Sequence, residues 1–151
     1  MALLMGMLTN QQIAGLLTST IARLSTTDVS ALTSAQISVL SATQINSLSA
    51  TDLQALTPGQ ITGFSTQALP GLSIGALLAL STAQTNALTA TQVGALVSSE
   101  INALSSTTLQ DFSTTQVDAL STTQIGKLAT ATFDNLGTTQ LSALTDRKSV
   151  V

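Results

Sequence analysis

A chain of 151 residues is long enough for one domain with a sizeable core, yet only 7% of its residues are charged and 2% aromatic, while 44% are hydrophobic. Globular chains carry about 25% charged residues, and disorder needs low hydrophobicity with high charge, the reverse of this balance. Four Lys and Arg residues and a net charge of −3 make no phosphate-tracking surface, so no nucleic-acid partner is expected.

The chain opens on MALLMGML, an apolar stretch with no basic flank and no small-residue cleavage site, which reads poorly as a signal peptide. No apolar run approaches the roughly 18 residues of a membrane span. From Leu8 onward the sequence repeats in eights. Every eighth residue from Leu8 to Leu144 is Leu, or Phe at Phe64 and Phe112, across seventeen octads spanning 8–143 without insertion. We number this residue position 1 of the octad.

Position 6 is the second apolar site, from Ile13, Ile21 and Val29 through to Phe133 and Leu141, with Thr85 as the departure. Position 2 is Ser or Thr in most octads, as at Ser25, Thr33, Ser41 and Ser121, and position 5 is usually Gln, Asp or Glu, as at Asp28, Gln36, Asp52, Glu100 and Gln124. A hydroxyl at the N-cap with Gln or Glu three residues on is the spacing of a capping box, in which each side chain satisfies an orphaned backbone N–H. The preceding Leu and the following Ile then form the hydrophobic staple. Pro58 after Thr57 falls at the first helical position, where proline is favoured.

Each octad therefore starts a helix and must end it before the next cap. A helix of about six residues spans roughly 9 Å and has no stability alone, so stacked neighbours must bury positions 1 and 6. Small residues at position 8, mostly Ala or Gly, let backbones approach at the bend. The predicted fold is all-α, a solenoid of very short capped helices occupying residues 1–145. A β-solenoid is the alternative, because Thr, Ile and Val favour strands; against it, positions 1 and 6 lie an odd number of residues apart and would face opposite sides of a strand. Departures cluster in 64–79, where Pro70, Gly71 and Gly75 predict an irregular turn.

The repeat stops after Leu144 and Thr145, and residues 146–151 (DRKSVV) fit no octad position. One codon set for these six residues and a stop resembles a common short-read sequencing adapter. We expect the tail to be adapter read-through in an assembled environmental sequence, with the reading frame continuing into further octads.

Residues 25–32 (STTDVSAL), 113–120 (STTQVDAL) and 121–128 (STTQIGKL) carry a family likeness. Such tandem LSTTQIxAL units resemble the repeat arrays of large Ser/Thr/Ala-rich bacterial surface or secreted proteins of the adhesin-like kind. The resemblance implies a spacer or stalk and an extracellular or cell-surface setting.

Catalysis fails on inventory. The chain has no His, Cys, Tyr or Trp, which removes the usual general bases, thiol nucleophiles and zinc ligands. Its many serines sit at cap positions without a base. Asp111, Asp118 and Asp134 could form an edge of carboxylates for a weak Ca²⁺ site, but solvated surface charge explains them as well. No catalytic, cofactor-binding or metal-ligating residue is predicted, and no enzyme. Two functions remain: a structural spacer within a larger surface or secreted protein, and a binding module whose regular Ser/Thr/Gln face, with a row such as Thr115, Thr123 and Thr139, meets glycan, ice or protein. Solenoid ends expose what internal repeats bury, so end-to-end self-association is expected.

Overall fold

The computed structural model describes residues 5–148, with side-chain surroundings described for 5–144; residues 1–4, part of the segment 1–7 expected from sequence to cover one end, and tail residues 149–151 lie outside the described residues. The helices are α1 Asn10–Ala14, α2 Thr18–Ile21, α3 Thr26–Ser30, α4 Ser34–Ile37, α5 Ala42–Asn46, α6 Ala50–Ala55, α7 Pro58–Ile61 and α8 Ile74–Ala79. They continue with α9 Thr82–Asn86, α10 Ala90–Ala95, α11 Ser98–Ala103, α12 Ser106–Asp111, α13 Thr114–Asp118, α14 Thr122–Gly126, α15 Thr130–Asp134 and α16 Thr138–Lys148. Met5–Met7 and Leu69–Gly71 are 3₁₀ segments. No strand occurs among the described residues, so the architecture is the all-α repeat and the β-solenoid alternative falls.

Every octad but Phe64–Gly71 holds one short helix, and corners of two to four residues join successive helices. Position 2 is the N-cap, extended at φ −82 to −65° in α1, α3 and α13 for example. The hydroxyl accepts the N–H three residues on, as Ser41 does from Gln44 and Ser81 from Gln84. The helix closes when the position-1 N–H bonds the position-6 carbonyl, Leu48 to Ile45 at 3.1 Å and Leu56 to Leu53 at 3.3 Å. Position 1 then turns extended, with ψ of 135° at Leu56, 143° at Leu96 and 133° at Phe112. No described residue has positive φ, so the bends use no left-handed glycine cap.

The chain divides into two compact units, Met1–Ala87 and Leu88–Val151. In the first, α1, α4, α7 and α9 stack in sequence, α2 stacks on α5 and α5 on the Leu69–Gly71 segment, and α3, α6 and α8 make a third stack above Met5–Met7. In the second, α10, α13 and α16 stack. Stacked helices begin 24 residues apart, as Asn10 and Ser34 or Ala90 and Thr114 do, so three octads complete one turn.

Positions 1 and 6 form the core: Leu24, Leu32, Leu40, Leu56 and Leu96 are buried, as are Ile13, Ile37, Ile61, Val93 and Ile101. Thr85, the polar departure at position 6, is also buried, and its hydroxyl donates back to the Ser81 carbonyl at 3.1 Å. The octad Phe64–Gly71 contains no α-helix, in line with its sequence. Ser65 starts a turn by accepting the Ala68 N–H, but Pro70 has no N–H to continue it and the segment tightens to 3₁₀. Gly75 does not interrupt its octad, because α8 runs through it. At the other end α16 continues to Lys148, past the last predicted corner at Leu144 and Thr145.

Close approach explains particular glycines. A Cβ at Gly63 would lie 2.5 Å from the Ser34 carbonyl oxygen and 2.9 Å from its Cα, one turn below. A Cβ at Gly126 would meet nothing within 4 Å. Gly63→Ala is therefore expected to destabilise by about 1–3 kcal/mol, whereas Gly126→Ala gains up to about 1 kcal/mol of helix propensity. Urea unfolding of both variants checks the contrast, and equal effects would contradict it.

Candidate functional site

The most densely organised polar feature is internal. Position 5, read from sequence as a capping partner and, in the binding alternative, as part of a Ser/Thr/Gln face, is mostly buried: Gln36, Gln44, Gln60, Gln84, Gln92, Gln116 and Gln140 are 3–7% exposed. Their burial has a cause in the corner. A position-1 residue leaves the helix, so its carbonyl has no helical partner, and a buried carbonyl without one is costly.

The glutamine amide serves both ends of that problem. Gln84 Oε1 accepts the Ser81 N–H at 2.7 Å, closing the capping box of α9. Its Nε2 donates to the Leu53 carbonyl at 2.8 Å and the Leu56 carbonyl at 2.6 Å, at the corner where α6 ends. The same reach recurs. Gln36 Nε2 donates to Met5 and Leu8 carbonyls, Gln44 to Leu16 at 2.8 Å, Gln60 to Ser30 and Leu32, Gln116 to Leu88 at 2.6 Å, Gln124 to Gly94 and Leu96, and Gln140 to Leu109 and Phe112. The constant separation of 28 residues to the position-1 carbonyl is one turn plus the offset between positions 1 and 5. Each of these glutamines thus ties its own helix start to the corner beneath.

At two octads that lack glutamine at position 5, an asparagine from the turn below replaces it. Ala76 stands at position 5 of α8, and Asn46, 30 residues earlier, accepts the Ser73 N–H at 2.8 Å and donates to the Gly71 carbonyl at 2.9 Å. Thr132 stands at position 5 of α15, and Asn102 accepts the Ala129 N–H at 2.9 Å and the Thr132 hydroxyl at 2.8 Å while donating to the Lys127 carbonyl. The common spacing of 30 residues is the signal in the sequence that exposes this pairing.

Acidic residues at position 5 behave differently. Asp28 Oδ2 accepts the Ser25 hydroxyl at 2.7 Å and the Ser25 N–H at 3.1 Å, and these bonds hold its carboxyl below the usual carboxylate range. Glu100 has no such hydroxyl, because its cap residue is Val97. Its Oε2 accepts the Val97 N–H at 2.7 Å, while Oε1 is buried with no hydrogen-bond partner. Burial pushes this carboxyl above its ordinary value, against the partial opposition of the Val97 bond.

Of the predicted surface features, Thr115 and Thr139 lie exposed on stacked helices α13 and α16, joined by exposed Thr91 on α10. Thr123 is exposed too but sits on α14, outside that stack, so the three predicted threonines do not form one row. Most position-5 glutamines leave the supposed outward face, with Gln12 exposed and Gln124 half-buried as the exceptions. Among the described residues no group of three or more His, Cys, Asp or Glu is placed to hold a metal ion, and Asp111, Asp118 and Asp134 do not assemble into one.

A family model described as the ALTTAQ repeat matches residues 98–130. Comparisons with curated proteins and with solved structures find no match. The six letters of the family's description fall on position 8 through position 5, as in Ala119–Gln124 (ALSTTQ) and residues 79–84 (ALSTAQ). The last of them is the glutamine of the ladder. The chain is thus similar to a known repeat, and it is built as a repeat module.

Two tests address the ladder. Gln84→Leu keeps the volume but leaves the Ser81 N–H and the Leu56 carbonyl without their side-chain partner and takes the second donor from the Leu53 carbonyl, and is expected to cost about 2–4 kcal/mol in chemical denaturation. Ser81→Ala, which removes only the cap hydroxyl, should cost about 1 kcal/mol; the reverse order would contradict the ladder's primacy. For Asp28 the folded-state value is depressed, so its stabilisation is present above the ordinary carboxylate pKa of about 3.9 and is lost as pH falls through the lowered value. Asp28→Asn should accordingly narrow its stability gap to wild type on acidification, as followed by thermal melts.

Proposed function

We propose that the protein is a non-enzymatic structural spacer, a module of a larger surface or secreted protein that extends by stacking turn upon turn. The observation that carries this reading is the double use of the ladder glutamines, as in Gln84, whose amide accepts the cap N–H of its own turn and donates to backbone carbonyls of the turn below. Side chains committed in this way serve axial cohesion and leave no convergent chemistry for a substrate. The extracellular setting rests on the likeness to surface repeat arrays. Stacking contacts at 24-residue intervals recur within each unit, so copies of the chain adding end to end would repeat them, and self-association of that kind belongs to the proposal.

A second reading has one specific observation behind it, the exposed Thr91, Thr115 and Thr139 at 24-residue intervals on three stacked helices. Such a column could meet a regular ligand, a glycan or an ice surface.

The two readings separate experimentally. Duplicating residues 90–113, one whole turn, should lengthen the particle by about 8–10 Å, the usual spacing of packed helices, and raise the unfolding free energy. Small-angle scattering and denaturation measure both, and an insertion that adds neither length nor stability contradicts the spacer. Light scattering should show mass rising with concentration; a strict monomer contradicts end-to-end association. Thermal hysteresis or a glycan-array signal abolished by Thr115→Val would transfer the assignment to the binding reading.

A further inference from the structure

We propose that the octad 96–103 is an acid-closed joint: Glu100 holds the ladder position as a protonated carboxylic acid, and its ionisation loosens helix α11. The geometry is that of a glutamine with one atom changed. Glu100 Oε2 does what glutamine Oε1 does elsewhere, accepting the cap residue's N–H. Oε1 stands at the Nε2 end of the side chain, the end that donates in every glutamine of the ladder whose bonds are described above. An ionised carboxylate has no proton to donate, and a buried charge without a partner is costly. Protonated, the same oxygen becomes a donor, as the amide nitrogen is.

The octad departs from the repeat a second time at Val97, and the two departures act together. In α3 the Ser25 hydroxyl donates to Asp28 and stabilises its charged form. Valine offers no hydroxyl, so the Glu100 charge receives one backbone N–H and nothing more. Glu100 is 1% exposed, which leaves water no access to Oε1.

Neighbouring charges do not rescue it. Within Leu88–Val151, α10, α14 and the rest of α11 carry no charged residue, α12 ends at Asp111, α13 and α15 end at Asp118 and Asp134, and α16 carries Asp146, Arg147 and Lys148 only at its far end. Lys127 caps α14 and lines, with Val97, Ser98 and Thr123, an open groove of about 450 Å³ beside α11, but it is exposed and no ion pair to Glu100 contributes to the carboxyl's shift.

The sign follows from burial. A folded state that favours the protonated acid loses stability as pH rises from the ordinary glutamate value of about 4.3 through the raised value, and regains none above it. Loss is concentrated in the octad that holds the acid.

Amide hydrogen exchange on the full chain, corrected for intrinsic rates, provides the test. Between about pH 4.5 and about pH 7.5, protection across 97–104 should fall about tenfold relative to 89–95 in wild type and stay constant in Glu100→Gln. Val97→Ser, which restores the hydroxyl, should shift the transition to lower pH and keeps the proposal testable if Glu100→Gln does not fold. The Glu100 side-chain carboxyl, followed by carbon NMR, should titrate above free glutamate. A midpoint at or below that of free glutamate, or equal pH dependence in wild type and Glu100→Gln, overturns the proposal.

Discussion

The constraint that organises this protein is the pairing of backbone groups at the corners. A helix leaves its first N–H groups and last carbonyls unpaired, and in helices of four to six residues almost the whole backbone is terminus. Water cannot answer the demand at corners packed one on another. The position-5 amide does, since it alone combines an acceptor for the cap N–H with a donor for the carbonyls beneath. Leucine burial supplies cohesion, but the amides decide which corner sits above which.

The register of the helices was legible from leucine spacing, and the structure shows why that signal outranks the caps. Helices α2, α11 and α15 begin on schedule although their N-caps are Leu17, Val97 and Ala129, none of which makes a side-chain cap bond. The hydroxyl strengthens a boundary that burial of positions 1 and 6 already imposes. The helix-less octad points the same way: Phe64, Leu69 and Leu72 remain buried around Pro70, and α8 resumes in register.

The three-octad turn and the inward glutamines were not legible from the capping box, because that motif is local. It assigns Oε1 a partner and says nothing of Nε2, whose acceptors lie 28 and 31 residues away. The information was nonetheless present in the exceptions. Asn46 with Ala76 and Asn102 with Thr132 share one separation, and Asp28 and Asp52 occupy equivalent places one turn apart. A regular repeat conceals its long-range period, since every octad resembles every other; only substitutions that need compensation reveal which octads touch.

The rarity of charge at position 5 also follows from the ladder. An ionised carboxylate at position 5 accepts the cap N–H as well as an amide does, but it faces the carbonyls below with a second acceptor instead of a donor. Glutamine is the residue whose length and bifunctional head meet both needs without a buried charge. Aspartate is tolerated at Asp28 and Asp52, where a serine hydroxyl donates to it and its shorter side chain stays at its own corner. Glutamate has the reach of glutamine without its donor, so among acids it is the one whose ionisation state the fold must settle. That Glu100 coincides with the missing hydroxyl at Val97 places the two exceptions on one corner, where the ladder is neutral only when a proton is bound.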